Sequence, residues 1–137
     1  MIKTVYLGIT GDIIHPGIIN IINAAKGYGR VIIGLLTDSA ITSHKRLPYL
    51  TYEQRKQVVE NIKGVSEVVP QEDWSYVPNL RKLKPDFIIH GDDWRVGPSL
   101  KARTEVIEVL KEWGGIWWKF RIPMELILLR YLKTCTA

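Results

Sequence analysis

Val5-Tyr6-Leu7-Gly8-Ile9-Thr10-Gly11-Asp12-Ile13-Ile14-His15-Pro16-Gly17 is the stretch whose reading decides the fold of this 137-residue chain. Its first half continues a run from Lys3 that is almost wholly apolar, as expected of a strand covered on both faces. After Pro16-Gly17 the pattern changes: Ile18, Ile21, Ile22 and Ala25 recur at helical spacing, which predicts a helix over 17–26. Between the two lies a turn containing Gly11. A strand that ends in a glycine turn leaves backbone N–H groups at the start of the next helix, and with the helix dipole they favour an anion. His15 adds a side-chain donor at the same place. The alternative is that Gly11 and Gly17 only shape a tight turn beside an ordinary loop histidine.

The same alternation continues outward. Arg30 to Leu36 reads as a second buried strand, closed by Thr37-Asp38. Thr51 with Gln54 three residues on is a capping box that opens a helix through Val58, Val59 and Ile62. Val65 to Val69 is a third strand, Pro78 to Leu83 a short helix, and Asp86 to His90 a fourth strand ending at Gly91-Asp92-Asp93-Trp94. Ser99 to Trp113 is a further amphipathic helix, stopped by Gly114-Gly115. This alternation predicts an α/β fold: a Rossmann-like open parallel sheet with helices on both faces, three layers α/β/α, and a ligand across the carboxyl ends of the strands.

Composition bounds the function. With 46% hydrophobic and 24% charged residues the chain reads as one globular domain. Its apolar runs are broken well short of membrane-spanning length, and the opening residues lack a signal-peptide pattern, so a cytoplasmic protein with no membrane partner is expected. The single cysteine, Cys135, has no partner for a disulfide or a metal-ligand pattern. The net charge of +5 is concentrated at the end: Lys119, Arg121, Arg130 and Lys133 against Glu125 leave only +2 for the first 115 residues. No stripe of alternating aromatic and basic residues accompanies it, so a phosphorylated small ligand is expected and a nucleic acid is not.

Three polar clusters fall at carboxyl ends of strands and should meet in one crevice: Thr10 to Gly17, Asp38 to Arg46, and Gly91 to Trp94. His44-Lys45-Arg46 would place cations there, as a triphosphate requires, unless it is a solvated loop. Asp92 and Asp93 could hold Mg²⁺ or accept hydrogen bonds from a base or ribose; otherwise they form an Asp-rich turn.

Taken together, Thr10-x-x-x-x-His15-Pro16-Gly17, Leu36-Thr37-Asp38, Lys45-Arg46-Leu47-Pro48, Thr51-Tyr52-Glu53-Gln54-Arg55-Lys56 and His90-Gly91-Asp92-Asp93-Trp94 resemble, in this order, the cytidylyltransferase family with its His-x-Gly-His signature. The likeness covers residues 1–115. It is nearest to the phosphonate cytidylyltransferase domains associated with phosphoenolpyruvate mutase, and next to glycerol-3-phosphate cytidylyltransferase. It implies that CTP binds with Mg²⁺, that a phosphonate or phosphate oxygen attacks the α-phosphorus, and that pyrophosphate leaves. His15 and Lys45 would be catalytic. Ile9, Thr10, Asp12, His15, Gly17, Ile18, Asp38, Arg46, Arg55, Gly91, Asp92, Asp93 and Trp94 would line the nucleotide site, Arg55 supporting the charge balance from its helix and Asp92 reading the cytosine or ribose. No side chain is assigned as a metal ligand, Mg²⁺ arriving with CTP. A homodimer is implied. The acceptor would be 2-aminoethylphosphonate or 2-hydroxyethylphosphonate, with glycerol-3-phosphate as the alternative. An unrelated flavodoxin-like module, binding FMN and not CTP, is the remaining reading.

This chain departs from the family pattern twice. The second signature histidine is replaced by Ile18, which suggests an enzyme of impaired turnover or a domain that binds CTP without reacting it. After Gly114-Gly115 the family's Gly-Ile-Ser-Ser-Thr segment is missing, and 116–137 is a divergent tail set apart from a 1–115 domain. Two readings of that tail stand. One is a frameshifted translation, since shifted codons compatible with it permit Val-Glu-Ile-Pro-Tyr-Thr-Asn-Gly-Ile-Asn-Ser-Ser-Thr-Leu. The other is a natural tail in which Leu126, Ile127, Leu129 and Leu132 form a packing helix. The coding DNA separates the two.

Overall fold

In a computed structural model, which describes residues 2–91 and 98–120, the chain forms a parallel sheet of five strands. In chain order these are β1 (Thr4–Ile9), α1 (Pro16–Ala25), β2 (Arg30–Leu36), α2 (Asp38–Thr42), α3 (Tyr52–Glu60), β3 (Val65–Gln71), α4 (Val77–Leu83), β4 (Phe87–Gly91), α5 (Pro98–Leu110) and β5 (Ile116–Phe120). The strand order is β3-β2-β1-β4-β5. This is the order of dinucleotide-binding folds, and it differs from the flavodoxin-like order, in which the third strand lies inside the sheet. The order reverses between β1 and β4, so the crevice at that switch point is bordered by the turn after β1.

Both faces of the sheet are covered, which explains the unbroken apolar runs. Val5, Leu7 and Ile9 of β1 and Val31, Ile33 and Leu35 of β2 pack under α1 and α3, against Ile21, Ile22, Ala25 and Val59. The alternate residues Tyr6, Ile32 and Ile88 pack under α4 and α5, against Tyr76, Leu80, Val106, Val109 and Leu110. Gly8 and Gly34 are register partners in β1 and β2. A Cβ on Gly8 would run into the ring of Tyr76, and a Cβ on Gly34 into the phenol of Tyr6. The two glycines thus form a shelf on which both tyrosine hydroxyls rest. Gly34→Ala is expected to cost about 1–3 kcal/mol by overpacking, read as a lower urea midpoint with an unchanged m-value.

Three local features differ from the sequence expectation. Thr37-Asp38 does not merely close β2: Thr37 Oγ1 accepts from Ala40 N at 3.3 Å and caps the five-residue helix α2. That helix is too short to show a hydrophobic period. β3 runs two residues past Val69, through Pro70 to Gln71. A proline is tolerated there because β3 is an edge strand. Residues 116–120, assigned to the tail, are β5 and pair with β4 in parallel from Phe87↔Ile116 to Gly91↔Phe120. The sheet therefore continues past the boundary expected after Gly115. Leu126, Ile127, Leu129, Leu132 and Cys135 lie outside the described residues.

Candidate nucleotide-transfer site

The turn after β1 is built around a left-handed glycine and a capping histidine. Gly11 has φ +68°, and a Cβ there would come within 2.7 Å of Leu35 Cδ1. Both the left-handed backbone and the space demand glycine. Gly11→Ala is expected to lower stability by about 1–3 kcal/mol and to displace Thr10 and Asp12, checked by thermal unfolding. Four residues after Gly11, His15 is the N-cap of α1, with extended backbone, and its Nδ1 accepts a hydrogen bond from Gly17 N at 3.1 Å. Pro16 follows at the first helical position, where its missing N–H costs nothing. With its Nδ1 lone pair in use, a neutral His15 carries its proton on Nε2. That atom is then a donor fixed at the positive end of a helix of ten residues.

Ile18 stands in the first turn of α1. It is half-buried and packs against the core cluster beneath that helix. Ile9 and Gly17 are buried, so a ligand would meet the backbone there and not a side chain. Thr10 Oγ1 lies 3.5 Å from Asp12 N.

Arg55 differs most from expectation. It is completely buried on α3. Its Nη1 donates to Thr10 O at 2.5 Å and to Leu36 O at 2.7 Å, its Nε to Leu50 O at 3.3 Å, and its Nη2 to Asp38 Oδ1 at 2.6 Å. One guanidinium thereby ties the carboxyl ends of β1 and β2, the start of α2 and the loop before α3. Arg55 and Asp38 hold the site's walls together, and Arg55 has no exposed surface from which to touch a ligand.

Asp12 plays a related part nearer the surface. Its carboxylate accepts from Arg46 Nη2 at 2.6 Å and from Tyr49 N at 3.1 Å, joining the turn after β1 to the loop after α2. Arg46 also lies over the Tyr49 ring, 4.1 Å from its centroid. Lys45 is exposed, with Nζ 5.7 Å from the Trp74 ring centroid. Among the described residues it makes no ion pair. The face of Trp74 is stacked with the His44 ring, at 4.5 Å and 16°. Trp74 packs in turn on Leu36, Ala40 and Ile41. Sequence reading missed this ledge because it ended β3 at Val69; with β3 extended to Gln71, Trp74 falls in the loop at the carboxyl end of a strand, as the other site residues do.

The structure thus brings the His15 turn, the Asp12–Arg46 link and the Lys45–Trp74 ledge to the carboxyl ends of β1, β2 and β3. Gly91 ends β4 beside β1. Asp92, Asp93 and Trp94 lie outside the described residues. The two carboxylates of the described site, on Asp12 and Asp38, are each engaged by an arginine, and among the described residues no group of three metal-ligating side chains occurs. Mg²⁺ usually keeps several waters and is held through substrate phosphates with one or two carboxylates, a manner these described residues allow. No helix among the described residues is long and apolar enough to cross a membrane.

Comparison with known proteins agrees with this geometry. Residues 8–120 match the model of a family described as cytidylyltransferase-like. The chain is 34% identical over 101 residues to a glycerol-3-phosphate cytidylyltransferase of Bacillus spizizenii, covering 72% of this chain and 78% of the relative. It is 37% identical over 108 residues to an FAD synthase of Archaeoglobus fulgidus, covering 74% and 78%. Among solved structures, the lipopolysaccharide core biosynthesis protein of Thermoplasma volcanium superposes with a TM-score of 0.73 at 20% identity, over 89% of this chain and 97% of that one, a likeness of fold. The match spans the turn after β1, the cations after β2 and the reversal of strand order between β1 and β4, and by it the chain belongs to the cytidylyltransferase-like family.

Proposed function

We propose that the protein transfers CMP from CTP to a small phosphonate, 2-aminoethylphosphonate or 2-hydroxyethylphosphonate, with release of pyrophosphate. The observation that carries the reading is the fixed Nε2 donor of His15 at the N-terminus of α1, beside the switch point of the sheet. Transfer of a nucleotidyl group needs no protein nucleophile; it needs positioning and donors aimed at charge that grows on the phosphorus and on the leaving oxygens. His15 donates to the triphosphate. The acceptor oxygen forms a bond to the α-phosphorus as the bond to the β-phosphate oxygen breaks, and the electron pair leaves with pyrophosphate. Lys45 stands on the acceptor side and neutralises charge on both partners. Arg46 is shared with Asp12 in this state and turns to the triphosphate when the nucleotide is present. Mg²⁺ bound with CTP would supply further charge neutralisation.

Glycerol-3-phosphate is the second acceptor reading, favoured by the likeness to glycerol-3-phosphate cytidylyltransferase. Against it, the segment after Trp74, Ser75-Tyr76-Val77, lacks the basic residue associated with glycerol-phosphate members; Ser75 Oγ instead donates to Glu105 at 2.7 Å and Tyr76 OH to Gly8 O at 2.9 Å. Pyrophosphate release from CTP and Mg²⁺ with each of the three acceptors tests the reading directly. Release with either phosphonate supports it, release with glycerol-3-phosphate alone replaces the acceptor, and calorimetric binding of CTP without release makes the chain a binding domain. In the last case Ile18→His, which adds a donor on the first turn of α1, is expected to raise turnover by about 10²-fold or more.

A further inference from the structure

Beside the ledge runs a chain of hydrogen bonds that passes from the surface at Asn79 to the buried pair Tyr6 and Gln71. Asn79 Nδ2 donates to Pro70 O at 3.0 Å and to the Tyr6 hydroxyl at 3.1 Å. Tyr6 OH donates to Gln71 Oε1 at 2.5 Å, and Gln71 Nε2 donates to Asp73 O at 3.1 Å. Tyr6 is fully buried and Gln71 is 1% exposed. Burial holds the Tyr6 phenol well above its ordinary titration range, so it stays a donor. That donor fixes which end of the Gln71 amide carries oxygen, and hence leaves its NH₂ for the carbonyl next to Trp74. The backbone of Gln71 works at the same time on the other segment: its carbonyl accepts from Thr37 N at 3.0 Å, at the cap of α2.

We propose that Gln71, oriented by Tyr6, is a positioning residue for Lys45. One residue holds both the loop that carries Trp74 and the cap of the helix that leads to His44 and Lys45, and the His44–Trp74 stack joins the two. Setting Trp74 sets His44, and with it the direction of the next residue's ammonium group. An apolar pair in place of Tyr6 and Gln71 would fill the core without this effect; the directed amide adds orientation.

The inference rests on the transfer reading for its kinetic part only. Gln71→Glu keeps an acceptor for Tyr6 but replaces the donor facing Asp73 O, and Tyr6→Phe keeps the ring over Gly34 while removing the donor that orients the amide. The first readout needs no turnover: the ring-current shift of the His44 imidazole protons against Trp74, by NMR. Both variants are expected to lose about half of that shift or more while remaining folded. An unchanged shift in a folded variant overturns the proposal. The second readout is kinetic. In Gln71→Glu, kcat is expected to fall about tenfold with KM for CTP within about twofold, and this loss should vanish in a Lys45→Ala background, because the amide acts through that lysine. Equal losses in both backgrounds overturn it. If the unaltered chain releases no pyrophosphate with any acceptor, the transfer reading fails while the NMR comparison still decides the positioning.

Discussion

Replacing Arg55 with Met will lower stability by about 3–5 kcal/mol, on the order of 10 °C in Tm, although the residue touches no ligand. The guanidinium is wholly buried and serves three carbonyls and one carboxylate. Methionine fills much of the volume but leaves Thr10 O, Leu36 O and Leu50 O without their donor; an unsatisfied buried acceptor such as Leu36 O costs about 1–3 kcal/mol, and the part-buried Thr10 O and Leu50 O add less. Asp38, 45% exposed, can turn to water and contributes the smaller share. Arg55→Lys will recover only part of the loss, since a single ammonium cannot span the same fork. The measurement is urea unfolding followed by circular dichroism, beside CTP binding at a temperature where the variant is folded. Binding should weaken because Thr10 and the start of α2 are no longer held together. Stability within about 1 kcal/mol of the parent would mean that the buried fork is not what joins these segments.

The second large effect is expected at His15, where structure and chemistry can be separated. Asn is among the best N-cap residues, so His15→Asn keeps an acceptor for Gly17 N and should leave stability within about 0.5 kcal/mol. It lacks the Nε2 donor at its reach from the backbone. Turnover should therefore fall about 10²- to 10³-fold, the usual cost of removing one donor to transition-state charge. His15→Ala should lose a similar factor in rate and a further ~1 kcal/mol in stability through the missing cap. Equal rates for parent and His15→Asn, measured as pyrophosphate release under saturating CTP, would remove His15 from the chemistry and leave it a helix cap.

Strands β1 to β4, helices α1, α3, α4 and α5 and the turn at Thr10–His15 were legible in the sequence, because each is set by local pattern such as continuous apolar runs, a capping box at Thr51 and a glycine turn before Pro16, whereas α2 and β5 were not. The capping box is present with both of its hydrogen bonds, Gln54 N to Thr51 Oγ1 at 3.2 Å and Thr51 N to Gln54 Oε1 at 3.0 Å. What was not legible depends on residues far apart in the chain. Arg55 read as one more cation of the phosphate site, since a sequence shows its charge and not its burial; its role follows from partners 45, 19 and 17 residues away. Gln71 and Trp74 were missed for the same reason, one hydrogen-bonded to Tyr6 across 65 residues and the other stacked on His44.

By itself, then, the sequence determined the alternation of elements and the anion-favouring turn, both products of short-range sterics and periodicity. The tertiary structure alone decided which polar residues line the crevice and which lie beneath it. Burial and long-range pairing make an arginine, an aspartate and a glutamine, which the sequence showed only as polar residues, into ties between segments distant in the chain.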